Sequence, residues 1–161
     1  MKGDPVQARE HWRRAPELPP HVFGVLNKPN RAINPIAVVA TVDPDGMPRT
    51  APFGSLRAVT PRLLRLACNQ RHDTYANLCK DGRVSVALLA PPDIAVSIRG
   101  RARLVQDRMA IGEHLAVLEI DVKEVKNDMM RRGVIESALG FAPPEDLKGF
   151  YVGAIAEIED M

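Results

Sequence analysis

From residue 33 the chain alternates apolar and polar positions with a period of two, the pattern of strands that bury one face. "IAVVATV" (36–42) is β-branched and runs into "DPDG", where Asp43, Pro44 and Gly46 predict a hairpin turn. The return strand falls in "MPRTAPFGSLRAV" (47–59). Pro48 and Pro52 donate no ladder bonds and Gly54 weakens the strand, so it is expected to be bulged or to lie at an edge. "LLRLAC" (63–68) is a third strand, and a short helix over Thr74–Lys80 stops at "DG", where Gly82 suits a left-handed end.

Strands follow at "RVSVALLA" (83–90) and "IAVSIRGRARLV" (94–105). In the second, Ile94, Val96, Ile98, Gly100, Ala102 and Leu104 share one face, with Arg99, Arg101 and Arg103 on the other. "HLAVLEIDVKEVK" (114–126) is the sixth strand, with Leu118, Ile120 and Val122 inward. At the end the period changes: Leu147, Phe150, Tyr151, Ala154, Ile155 and Ile158 recur at helical spacing, as in an amphipathic helix. Six strands joined mainly by tight turns predict a mainly β domain with flanking helices, an antiparallel barrel rather than a parallel sheet. Residues 1–20 read as an N-terminal arm with a short helical turn, and residues 21–161 as the domain. That domain opens with a short helix in "HVFGVLNKP".

Composition adds bounds. At 161 residues, 45% hydrophobic and 26% charged, this is ordinary globular material for one domain. A formal charge of +2 gives no sign of a nucleic-acid or membrane partner, and aromatic residues, at 4%, are too few for a single-strand stacking surface. The first 20 residues are polar and proline-rich, unlike a secretion signal, so a cytoplasmic location is expected.

The densest chemistry lies in "CNQRHDTYANL" (68–78). Cys68, His72 and Cys79 are spaced as C-x3-H-x6-C, which is no common zinc pattern, and no metal site is expected. Cys68 continues the Leu64–Leu66 face and reads as a small buried hydrophobe; no thiol-hydrolase signature surrounds it. Two readings remain open on spacing. A strand end passing into a first helical turn offers N–H groups to an anion, with Arg71 and His72 adding charge and Asn69 and Thr74 adding hydrogen-bond groups. Alternatively, Asp73 caps a surface helix and satisfies those N–H groups itself.

The order of "DGMPRTAPFGS", "HDTYANL", "RVSV" and "RGRARLV" along the chain resembles the flavin-binding split barrels related to pyridoxamine 5′-phosphate oxidase, over residues 20–126. The resemblance implies a six-stranded antiparallel split β-barrel that holds FMN at a homodimer interface. It implicates Pro52, Phe53, Gly54 and Ser55 along the ring and ribityl chain. Near the phosphate it implicates Asn69, Gln70, Arg71, His72 and Thr74, with Asn77 bracing the helix start. The implied activity is that of an FMN-dependent oxidoreductase on a small molecule, with no catalytic residue assigned. Departures argue against the oxidase proper: the second strand has no cation before Arg57, a flavin-reaching glutamine is replaced at Ala95 (Ser97 being the nearest polar group), and the terminal signature of the vitamin substrate is absent. Related barrels take a deazaflavin, or haem, for which His72 or His114 would serve; a cofactor-free dimeric binding module is the remaining alternative.

Two features fall outside that series. The Arg99–Arg101–Arg103 stripe reads as an exposed strand face that limits edge pairing, in preference to a phosphate site. "VKNDMMRRG" (125–133) reads equally as a mobile lid or as a crossing loop whose Met129 and Met130 fill core gaps.

Overall fold

The structure, a computed structural model, describes residues 12–161. The helical turn expected in the arm therefore lies, in its first eleven residues, outside the described residues. From Trp12 onward the arm is docked rather than loose. Arg14–Ala15 (β1) pairs antiparallel with the end of the long final strand, and Leu18 is buried in the core. Helix α1 (Pro20–Asn27) follows, with Val22 and Leu26 on its buried side.

The remaining strands are β2 (Ala37–Val42), β3 (Pro48–Phe53), β4 (Arg57–Thr60), β5 (Leu63–Asn69), β6 (Arg83–Ala90), β7 (Ile94–Gln106) and β8 (Leu115–Asn127). They form one antiparallel sheet in the order β3-β2-β6-β7-β8-β5-β4. Helix α2 (Asp73–Lys80) links β5 to β6, and helix α3 (Lys148–Glu159) ends the chain. The β2–β3 turn forms as its sequence demands: Asp43 N–H donates to the Met47 carbonyl at 2.8 Å and Gly46 sits at φ +88°.

The stretch read as one return strand is two. β3 pairs with β2, from Ala37 opposite Phe53 to Val42 opposite Pro48, whereas β4 pairs with β5. The two outer strands of the sheet are thus consecutive in the chain, and Gly54–Leu56 carries the chain from one edge to the other without closing the ladder. β3 pairs with β2 alone, so the N–H groups that Pro48 and Pro52 lack are ones an edge strand can spare.

One cluster fills the barrel, built from Val39, Leu56, Leu64, Leu66, Val86, Ile98, Leu118, Ile120 and their neighbours. A second lies on the outer face, where Met109, Leu115 and Val117 meet Ala154 and Ile158 of α3. β8 is therefore buried on both sides from Leu115 to Ile120, as its nearly unbroken apolar run "LAVLEI" allows. Burial of Ile155 and Ile158 stabilises the docking of α3 by roughly 1.5–3 kcal/mol each. Leu147, placed on the helix stripe by sequence, is 43% exposed because α3 begins one residue later, after a 3-10 turn at Glu145–Leu147. Leu104 is likewise outside, at 41%, because β7 runs past the barrel cluster, which ends at Ala102.

The arginine stripe has a different cause from edge protection. β7 is flanked by β6 and β8 and is no edge. In register, Arg99 faces Glu124, Arg101 faces Asp121 and Arg103 faces Glu119, so opposite charges pair across the two strands. Glu119, 7% exposed, is held by Arg103 at 3.1 Å and by Arg65 at 3.3 Å. Met130, at 69% exposure, fills no core gap.

A carboxylate on α3 fastens the helix to the β7–β8 turn. Glu157 accepts hydrogen bonds from Ala110 N–H (2.6 Å), Ile111 N–H (3.0 Å) and the Gln106 amide (3.0 Å). Burial pushes its pKa up, but the two N–H groups and the amide together bring it below the usual carboxylate value. A lowered folded pKa means that this contribution to stability is complete above the unfolded value and lost as pH falls through the folded one. Glu157→Gln is expected to lower the melting temperature at pH 7 and to flatten its fall between about pH 5 and pH 3; thermal denaturation across that range measures both.

Candidate cofactor cleft

A cleft of about 580 Å³ opens where β3 gives way to β4, beside the end of β5. Six of the residues singled out from sequence line it: Pro52, Phe53, Gly54, Ser55, Asn69 and His72. Their placement follows from the strand break, which turns the backbone of residues 52–55 toward the end of β5. Ser55 secures that crossing, its hydroxyl donating to the Ala67 carbonyl (2.9 Å) and accepting from Ala67 N–H (3.1 Å).

The other four candidates do not line the cleft. Gln70 is tied to the β7–β8 turn through its N–H on the His114 carbonyl (2.9 Å) and its amide on the Asp107 carbonyl. Arg71 is exposed, with its N–H on the Asn69 side chain at 2.9 Å. Thr74 is buried, and its hydroxyl meets His72 Nδ1 at 3.1 Å. Asn77, also buried, donates to Thr41 Oγ1 (3.0 Å) and to Asp43 Oδ1 (2.8 Å), bracing α2 against the β2–β3 hairpin. Arg49 first, and Asn77 second, hold the Asp43 pKa below the ordinary carboxylate value.

The helix cap differs from the one expected. His72 has the extended backbone of the N-cap (φ −83°, ψ 142°), and its Nδ1 accepts from Thr74 N–H at 3.4 Å. Asp73 is already the first helical residue, exposed and 3.8 Å from Arg49, where its charge favours the positive end of α2. With Nδ1 accepting, neutral His72 carries its proton on Nε2. The ring packs edge-on to Phe53 at 5.9 Å. Cys68 is buried, and burial pushes its thiol pKa up to about 12, as suits an inert core residue. Among the described residues no group of three His, Cys, Asp or Glu side chains is placed to hold a metal.

Sequence reasoning missed most of the opposite wall, where Leu139, Phe141, Phe150, Tyr151 and Ile155 come from α3 and the strap that precedes it. His114, weighed from sequence for haem, joins them from the turn before β8. The His114 and Phe150 rings lie nearly parallel (5°) at 6.1 Å. The strap is clipped by Asn34, whose side chain donates to the Phe141 carbonyl (3.0 Å) and accepts from Phe141 N–H (2.8 Å). Residues 125–133, weighed as a lid, contribute nothing to the wall. Ser97, weighed as a flavin contact, donates to Asp128 at 2.9 Å. A signal for the missed wall was present: four of the chain's seven aromatic residues, Phe53, Phe141, Phe150 and Tyr151, converge here.

The family model of pyridoxamine 5′-phosphate oxidase matches residues 31–135. The chain belongs to this family. The match runs from before β2 through β8 and stops short of α3, so Phe141, Phe150 and Tyr151 lie outside the matched region while Phe53 lies within it. Solved structures share the fold. A candidate pyridoxamine 5′-phosphate oxidase from Lactobacillus delbrueckii is 20% identical, with TM-score 0.57 over 71% of this chain and 98% of its own. An F420 reductase is 15% identical, with TM-score 0.54 over 71% of this chain and 100% of its own. An FMN-binding protein from Syntrophomonas wolfei is 18% identical, with TM-score 0.50 over 68% of this chain and 89% of its own. None of the curated proteins matches the sequence. The unclosed antiparallel sheet, with three α-helices among the described residues, is thus the split barrel of this oxidase family.

Gly54 has a packing reason to be glycine. A Cβ there would lie 2.4 Å from Ile33 Cγ2 and 2.9 Å from Ile36 Cδ1, so these side chains, not the cleft, occupy the space that the missing methyl leaves. Gly54→Ala is expected to cost about 1–3 kcal/mol in chemical denaturation. Adding Ile33→Ala should recover part of that loss, giving a non-zero coupling in the double-mutant cycle.

Proposed function

We propose that this protein is an FMN-binding oxidoreductase acting on a small substrate, with the cofactor seated in the cleft and a second copy of the chain completing it. The observation that carries the reading is the wall itself: four aromatic rings and several aliphatic side chains around Asn69, Ser55 and two histidines, with no charged residue among them. That set fits a flat, largely apolar ring system oriented by a few hydrogen bonds. When bound, the flavin supplies hydride or electron transfer at its N5 position. The chain's own residues bind and orient. Phe53 and Tyr151 offer ring faces, Asn69 offers donors and an acceptor, and His72 offers the Nε2 proton that its cap interaction fixes. Ile33, Ile36, Leu139 and Ile155 exclude water.

The fold likeness to an FMN-binding protein and to an F420 reductase supports a flavin or deazaflavin ligand. Leu139 and Phe141, 52% and 43% exposed at the rim, support a partner that covers them. In the described residues no helix is long and apolar enough to cross a membrane, and the reading needs none. The two cleft histidines, His72 and His114, favour haem as the second reading.

Purified protein is expected to be yellow and to release FMN on denaturation, with the native visible spectrum and chromatography of the released chromophore as the measurements. A Soret band in its place moves the assignment to haem. A colourless protein that takes up neither added FMN nor F420 rules out the flavin reading.

A further inference from the structure

A second cavity, of about 310 Å³, shares no residue with the cofactor cleft. Lys28, Arg57 and Arg65 line it together with Asn27, Asn30 and Glu159. Lys28 and Arg57 are each 2% exposed. Both reach the Gly54 carbonyl, Lys28 Nζ at 3.1 Å and Arg57 Nη1 at 3.4 Å, so two buried cations converge on one neutral oxygen.

Two helix ends account for part of this gathering. Lys28 is the left-handed C-cap of α1 (φ +46°), and Arg65 donates to the Ile158 carbonyl near the end of α3 (3.2 Å). A helix end supplies only a partial negative charge. The carboxylates within reach are already shared. Glu159 lies 2.6 Å from Arg57 and 3.9 Å from Arg31, and Glu119 serves both Arg65 (3.3 Å) and Arg103 (3.1 Å). Lys28 forms no ion pair with any carboxylate of the described residues; its acceptors are the neutral carbonyls of Ile33 (3.0 Å) and Gly54. A buried ammonium without a counter-charge is costly. Burial first, and repulsion by Arg57 second, push its pKa down to about 7.

We propose that this second cavity is a binding site for a small oxyanion, a phosphate or a carboxylate, held by Lys28 and Arg65 beside the charge of Arg57. It is separate from the cofactor cleft, and it stands whether or not that cleft holds a flavin. Lys28 keeps a third ammonium proton beyond its two carbonyl bonds, and the guanidinium of Arg65 presents five N–H donors in a fixed fork. An oxyanion there supplies the missing counter-charge and accepts charge-assisted hydrogen bonds. Glu159 competes with it, because it already places one carboxylate at the cavity wall.

The test titrates the purified protein with inorganic phosphate and, separately, with acetate. Calorimetry is run at about pH 6, where Lys28 is protonated, with chloride holding the ionic strength constant. Wild type is expected to bind at least one of the two saturably, and its preference separates a phosphate ligand from a carboxylate. Lys28→Met should lower that affinity about tenfold, and Lys28→Arg should keep it. Glu159→Gln, which removes the competing charge, should raise it. Arg71→Ala, exposed in the turn before α2, should leave it unchanged. A wild type that binds neither anion overturns the proposal. So does folded Lys28→Met protein that keeps full affinity, or loss of binding in Arg71→Ala, which moves the anion to the start of α2. Should Lys28→Met fail to fold, an affinity in Glu159→Gln that does not rise overturns the proposal as well.

Discussion

Everything at the cleft depends on one change of partner in the backbone. Between Phe53 and Arg57 the chain leaves β2 and joins β5, crossing from one edge of the sheet to the other in three residues. Such a crossing exposes peptide groups that no ladder satisfies, and the structure supplies partners for them one at a time. Ser55 ties the crossing to Ala67, while Lys28 and Arg57 converge on the Gly54 carbonyl. Gly54 permits the close approach of Ile33 and Ile36, which closes the crossing from behind. The cleft is the space that this crossing leaves at the mouth of the barrel.

Charge is sorted with the same economy. On the outer face arginines of β7 meet acids of β8 in register, and the shared Glu119 holds two of the cations. Inside the cleft wall there is no formal charge. A neutral wall next to buried cations is a low-dielectric setting, where one unbalanced charge acts over a longer range than it would in water. Cross-strand pairs on the exterior contribute modest stability.

How far the sequence could be read depended on whether its signals were local. The "DPDG" turn and the strands of period two are written in neighbouring residues, and the structure follows them. The break at Gly54 was only half legible: Pro48, Pro52 and Gly54 marked the stretch as irregular, but the choice of two different partners is a property of the whole sheet. At α2 the sequence marks Asp73 as the cap, but the helix start gives that role to His72 and leaves Asp73 facing Arg49. The family resemblance implicates Gln70, Arg71, Thr74 and Asn77 through the loop and helix start after β5, where it places the phosphate. A helix turns its successive side chains through about 100°, so Thr74 and Asn77 point into the protein while Asn69 and His72 reach the cleft. The wall from the C-terminal segment had no local signal beyond its aromatic content, because the strap between β8 and α3 has no periodicity to read.

That strap separates two tasks along the chain. Residues 31–135 carry the family match and all the strands that pair within β2–β8, whereas much of the aromatic wall lies beyond them, attached through the docking face of α3 and the Asn34 clip on Phe141. The cleft is thus lined from both stretches, eleven residues from within the matched region and seven from beyond it. Drift in the strap and the exposed turn of α3 can reshape the cleft while the hydrogen-bonded ladder stays intact.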